Sequence, residues 1–241
     1  MLPATVTGTG PTVLLLHAGG ENRGVWAPVA ARMAEHGLRT VAPDLRGHGD
    51  SSGPATTLRV FADDVIEILR REPAPIVVVG ASLGGFAALT ALGEPSIARR
   101  VAGLALVDVV PDPDPDRVRA WLETQGLAGQ QAELVDDILE AGPELLATTA
   151  ALDLPILLVR GGRSPLGDAD ADRLRTANHR VTVTRVPDAG HLVARDAPAE
   201  LAHIVSAYAT TWLAAGDVVS RAFELQRGAG NRTQVKVANL D

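Results

Sequence analysis

Short runs rich in β-branched and other apolar residues alternate along this chain with longer stretches whose apolar positions recur at helical spacing. The runs at 12–16, 40–43, 76–79, 101–107, 156–159 and 181–186 are predicted as strands. Helices are predicted near 25–36, 58–71, 83–92, 168–177 and 198–213, and joins such as Gly10-Pro11, Pro73 to Pro75 and Gly161-Gly162 carry the turn formers. Strand and helix alternating in this way give an α/β fold, a mostly parallel sheet with helices on both faces.

One segment breaks the alternation. Residues 112–150 open on Pro111-Asp112-Pro113-Asp114-Pro115-Asp116 and then read as short helices over 118–123 and 132–140 with no strand between them, the pattern of an inserted cap. After Leu213 the text turns to Gly216-Asp217 and Gly228-Ala229-Gly230-Asn231. The packed domain is therefore expected to span 1–215, with 216–241 a tail that is either disordered or helical over 218–225.

At 241 residues and 46% hydrophobic, the chain is long enough for one domain with a substantial core. Aromatic residues make up only 3%, so stacking platforms for bases are scarce, and a net charge of −7 repels a phosphate backbone. Nucleic acid is thus an unexpected partner. The nine acidic and two basic residues of 112–150 carry the equivalent of the whole net charge, leaving the rest of the chain balanced. With no cysteine, disulfides, thiolate metal sites and thiol nucleophiles are excluded, and covalent catalysis must use an oxygen or nitrogen nucleophile. No apolar run approaches the ~20 residues of a membrane span, and no basic segment followed by an apolar core opens the chain, so a cytoplasmic protein without a membrane partner is expected.

The sharpest chemical signal is Gly80-Ala81-Ser82-Leu83-Gly84, set between a predicted strand and a predicted helix. A strand, a tight turn and a helix leave Ser82 at the apex with its hydroxyl projecting off the sheet edge, and small neighbours are what that crowding requires. The five-residue pattern alone is weak and gains its force from this context. A serine hydroxyl needs a base to take its proton, and histidine is best matched to neutral pH. Of the six histidines, His36 and His203 fall in helical stretches and His179 in a turn before a strand, whereas His191 follows the last predicted strand in Pro187-Asp188-Ala189-Gly190-His191. That places the His191 imidazole on a loop at the C-terminal edge of the sheet.

These features, with His17-Ala18-Gly19-Gly20 and Asp44-Leu45-Arg46-Gly47-His48-Gly49-Asp50-Ser51 in order before them, resemble an α/β-hydrolase-fold serine hydrolase over about residues 9–213. The nearest-looking members are cofactor-free esterases with a small cap inserted after the sixth strand, here 112–150, and the strands preceding the His17 strand are abbreviated. The resemblance implies an oxyanion hole built from the backbone N–H groups of Gly19 and Leu83, with His17 and His48 organising loops. Ala18 stands where the family usually has glycine.

The triad acid departs from the family pattern. It is most often the aspartate of a Gly-Arg-Ser-Asp arrangement after the strand at 156–159, but here the text is Gly162-Arg163-Ser164-Pro165. Asp108, at the end of the neighbouring strand, and Asp168, three residues past Pro165, are the two candidates. Adjacent strand ends lie ~5 Å apart, so a carboxylate on either strand can reach one imidazole, and Asp108 is the preferred reading.

The expectation is cleavage of a carboxylic ester or lactone of a small neutral molecule through an acyl-enzyme, with no metal and no organic cofactor. Carbon–carbon bond hydrolases, thioesterases and a non-catalytic ligand-binding homologue share the same residues and stay open. The acidic cap would repel a polyanionic substrate if it faces the pocket, and otherwise it is a solvated surface. Trp26 and Trp121 are candidate pocket walls, with core or cap packing as their other role.

Overall fold

A computed structural model describes residues 2–127, 129 and 131–230, and for 216–230 it describes the backbone alone. The elements in chain order are β1 (Ala4–Thr7), β2 (Thr12–Leu16), a 3-10 turn (Arg23–Trp26), α1 (Ala27–Glu35), β3 (Arg39–Pro43), α2 (Leu58–Arg71), β4 (Ile76–Ala81) and α3 (Leu83–Leu92). They continue with α4 (Pro95–Ala98), β5 (Val101–Val107), α5 (Pro115–Thr124), α6 (Ala132–Ala151), β6 (Ile156–Gly161), α7 (Asp168–Ala177), β7 (Val181–Val186), α8 (Val193–Asp196) and α9 (Pro198–Gly230). All six predicted strands form, and β1 joins them as an antiparallel edge on β3.

The sheet order is β1-β3-β2-β4-β5-β6-β7, with every pair after the first parallel. Parallel strands buried on both faces need apolar side chains at every position, and period-two alternation divides them between two layers. Leu14, Leu16, Ile76, Val78, Leu104, Leu106, Ile156 and Leu158 pack toward α2, α3, α6 and α7. Val13, Leu15, Val77, Val79, Ala105, Val107, Leu157 and Val159 pack toward α1, α8 and α9. Nearly every residue of α3 is buried, so this helix is apolar all round.

Strand order reverses beside β2, because β3 lies on one side of it and β4 on the other. In open parallel sheets the crevice at the C-terminal strand ends beside such a reversal is where ligands bind. The loops after β2 and β4 flank it here, which brings the Gly19 and Ser82 segments together.

The cap follows the fifth strand of this chain; the expected count of six differs by the shortened start that precedes the His17 strand. The second cap helix, α6, runs to Ala151 instead of stopping at 140, through Pro143, with Leu145 and the fully buried Thr149 packed inward. Tertiary packing overrides the local break signal there. The backbone of α9 continues past 215 to Gly230, so the segment 218–225 lies within this helix, while 231–241 fall outside the described residues. Among the described residues no helix is long and apolar enough to cross a membrane.

Candidate active site

Ser82 is the residue between β4 and α3, with φ 45° and ψ −113°. This left-handed backbone is costly for a residue with a Cβ and marks a turn held by its surroundings. Crowding explains the glycines around it. A Cβ on Gly84 would stand 2.5 Å from the Leu16 carbonyl oxygen, and one on Gly80 2.6 Å from the Gly85 backbone. The Gly85 and Phe86 amides donate to the Ser82 carbonyl, closing the first turn of α3, while the Leu83 N–H lies at that helix's open N-terminus. Gly19 is exposed on the loop after β2, and a Cβ built on it would touch the Leu83 side chain at 3.8 Å. The two segments expected to supply oxyanion-hole amides are therefore neighbours.

Asp108 follows β5 directly, also with a positive φ of 52°, a conformation aspartate tolerates better than most residues. Its side chain is fully buried and takes three donors. The Gly161 N–H reaches Oδ1 at 2.8 Å, while the Ser164 hydroxyl at 2.5 Å and His191 Nδ1 at 2.8 Å share Oδ2. The imidazole is thereby held with its proton on Nδ1 and Nε2 free to accept. Among the described residues His191 is hydrogen-bonded to Asp108, and no hydrogen bond joins it to Ser82.

The His191 loop rests on the end of β6. Cβ atoms on Gly161 and Gly162 would fall 2.1 Å from the Gly190 carbonyl oxygen and 2.2 Å from that of Pro187. These two glycines therefore admit the histidine loop by close backbone approach. Asp196 of α8 accepts from the Gly190 N–H at 2.8 Å and fixes the other side of the loop.

Asp168, the alternative acid, is elsewhere: its carboxylate is 89% exposed and paired with Arg160 at 2.5 Å. The Arg160 hydrogen bond holds its carboxyl below the usual carboxylate range. It is the first residue of α7, at the surface, and the partner of His191 is Asp108. The two tryptophans also separate. Trp26 is fully buried in the core layer under α1 and α9 and has no surface to offer a ligand. Trp121 on α5 lies edge-on to the His191 ring, 4.6 Å between centroids, so the cap reaches over the histidine.

No residue of α5 is buried, so polar contacts tether it. Arg117 pairs with the buried Asp170 of α7 at 2.7 Å and Arg119 with Asp136 of α6 at 2.9 Å. Asp114 accepts from the Arg117 N–H as the N-cap of α5, and Asp137 accepts from the Leu58 N–H at the start of α2. Three of the cap's nine carboxylates, Asp114, Asp136 and Asp137, are thus engaged at its own joints.

Sequence reasoning did not foresee the network that ties the loop after β2 to the loop after β3. Asp44, almost fully buried, accepts from the backbone N–H groups of Arg23 and Asp50 and from the Arg23 guanidinium. Burial pushes its carboxyl up, but the Arg23 and Asp50 amides and the guanidinium outweigh it and leave the pKa lowered. His17, also fully buried, accepts from the Leu45 N–H at Nε2 and donates from Nδ1 to the Ala18 carbonyl, which requires the neutral ring. Burial lowers its pKa to about 4. Because the unfolded chain takes the proton first, stability is complete above the ordinary histidine pKa and falls as pH drops toward 4, by a total on the order of 3 kcal/mol. Urea unfolding between pH 4 and 7 should show that slope, and His17→Gln, which cannot titrate, should flatten it.

Among the described residues no group of three or more His, Asp or Glu is placed to hold a metal ion. A sequence profile of the alpha/beta hydrolase family matches residues 13–204. A probable protein phosphatase methylesterase 1 of Caenorhabditis elegans is 36% identical over 109 residues, covering 42% of this chain and 30% of that protein, so the chain spans under a third of that relative. An esterase of Mycobacterium tuberculosis is 29% identical over 251 residues, covering 82% of each. Among solved structures, a thermophilic esterase from Thermogutta terrifontis superposes with a TM-score of 0.69 at 23% identity, covering 88% of this chain and 94% of that one. With a strained serine between strand and helix, a histidine on a buried aspartate at the same sheet edge and this match along most of its length, the chain belongs to the alpha/beta hydrolase family.

Proposed function

We propose that this protein is a serine hydrolase that cleaves a carboxylic ester or lactone of a small neutral molecule. The observation that carries the reading is the 2.8 Å hydrogen bond from His191 Nδ1 to the buried Asp108 carboxylate, on the sheet edge that also presents Ser82. With Nδ1 engaged, Nε2 is the free base. Ser82 Oγ attacks the carbonyl carbon as its proton passes to Nε2, and the Gly19 and Leu83 amides receive the charge that develops on the carbonyl oxygen. Asp108 stabilises the imidazolium without taking its proton. The imidazolium then gives that proton to the leaving alcohol, and the acyl group stays on Ser82. Water attacks the acyl-enzyme with His191 again as base, releasing the carboxylic acid and restoring the serine.

Trp121, set against His191, roofs the acyl site, and the scarcity of aromatic residues elsewhere favours a compact aliphatic acyl group. The cap's excess of negative charge disfavours polyanionic substrates. A panel of short p-nitrophenyl esters, γ- and δ-lactones, acyl thioesters and β-diketones, compared by kcat/KM, tests the assignment. The esters or lactones should exceed the others by at least about tenfold, a transition-state difference of about 1.4 kcal/mol. Preference for thioesters or for carbon–carbon cleavage would reassign the leaving group, and turnover of none would leave a binding protein.

A further inference from the structure

We propose that Ser164 is a positioning residue that sets the basicity of His191 through Asp108. The inference rests on the hydrolase reading for its catalytic consequence, but its geometry stands independently. Ser164 occupies the loop after β6 whose next position, Pro165, lacks the carboxylate usual in the resembling family. That loop nevertheless reaches Asp108 through the Ser164 hydroxyl. The Leu166 N–H donates to Ser164 Oγ at 3.0 Å, filling an acceptor site of the hydroxyl and leaving its proton directed to Asp108 Oδ2, 2.5 Å away. The same oxygen accepts from His191 Nδ1.

Two donors on one carboxylate oxygen compete for its negative charge. The Ser164 hydroxyl therefore weakens the hold of Asp108 on the imidazolium and keeps the His191 conjugate acid easier to deprotonate. It also locks the carboxylate's rotation: Gly161 N–H fixes Oδ1 and Ser164 fixes Oδ2, so Oδ2 stays aimed at Nδ1 as His191 changes charge. The other charged groups around His191 leave this route intact. They are Glu21 on the loop after β2, pushed up by burial, with Arg195 and Asp196 of α8 beside it, and Asp188 and Arg163 on the adjoining loops. From the cap, the residue against the ring is the uncharged Trp121. None of these side chains hydrogen-bonds to the Ser164 hydroxyl, whose partners are Asp108 and the Leu166 N–H.

The test compares Ser164→Ala, Ser164→Thr and Ser164→Cys with the parent chain. Two readouts apply: the pH dependence of kcat/KM on p-nitrophenyl acetate, and the His191 titration followed by imidazole NMR in a Ser82→Ala background. In Ser164→Ala, unshared Oδ2 stabilises the imidazolium, so the His191 titration and the acid limb of kcat/KM should both move up by about 0.5–1 pH unit, with kcat down by about tenfold. Ser164→Thr keeps the hydroxyl and should restore both. Ser164→Cys, with its weaker donor, should move the same way by a smaller step, and decides the matter where the alanine variant fails to fold.

An unmoved titration in the alanine and cysteine variants would overturn the proposal, as would a fall in kcat that threonine does not rescue. Absence of turnover in the parent chain would sink the hydrolase reading instead. The NMR titration would still decide the Ser164 proposal in that event, because it requires no catalysis.

Discussion

Ser82→Ala should lower kcat/KM on a short ester by at least about 10³-fold, close to the residual rate that oxyanion stabilisation and binding alone supply. The loss should appear in kcat with KM little changed, since the hydroxyl acts only as the bond forms. Stability should move the other way for a second variant. The backbone at Ser82, φ 45° and ψ −113°, is one that a residue without a Cβ adopts freely. Ser82→Gly, equally inactive, should therefore unfold at higher urea, with a gain of about 1 kcal/mol after the entropy that glycine adds to the unfolded chain. Lost activity joined to gained stability is the signature of a residue held in strain for chemistry. A structural turn serine with this backbone would gain the stability without the loss of activity.

Asp108→Asn should cost about 10³ to 10⁴ in kcat. An asparagine amide at this place can donate to Nδ1, which drives the imidazole to the tautomer with its proton on Nε2, where it cannot serve as base. The carboxylate is buried under three donors, so a stability loss of about 1–3 kcal/mol should accompany the change as the Gly161 or Ser164 donor loses its charged acceptor. Asp168→Ala is the control. Its carboxylate is exposed and bound to Arg160, so kcat should stay within about twofold and the urea unfolding midpoint should barely move. The same two variants assayed side by side separate the acid that follows β5 from the acid on α7. Wild-type turnover in Asp108→Asn would remove Asp108 from the mechanism.

The five interior strands were legible because strands covered on both faces are apolar nearly throughout, while β7, a half-exposed edge, showed only as a β-branched run, Val181-Thr182-Val183-Thr184. β1 was not. Ala4-Thr5-Val6-Thr7 is mostly exposed on the sheet edge, so no burial forces an apolar run there. The elbow at Ser82 and the loop of His191 could be read because each is local, a few residues tied to the end of one strand. The acid could not be settled that way. Asp108 and Asp168 both follow strands at the same sheet edge, and what separates them is depth: one points under the histidine among three donors, the other lies on the surface with an arginine. Ser164 was visible only as the neighbour of a missing aspartate, since a single serine in a loop carries no periodicity. The Asp44 network joins its carboxylate to amides 21 positions before it and 6 after it, and amides leave no trace in side-chain pattern.

The central claim is that Ser82 is a nucleophile activated by His191. Incubation of the folded chain with an alkyl fluorophosphonate, followed by peptide mass mapping, tests it without knowledge of the substrate. The account predicts one phosphonyl group per chain, on the peptide containing Ser82, formed at a rate that falls by at least about 10²-fold in His191→Ala. An unlabelled chain, a label on another residue, or a Ser82 label whose rate ignores the loss of His191 would contradict it.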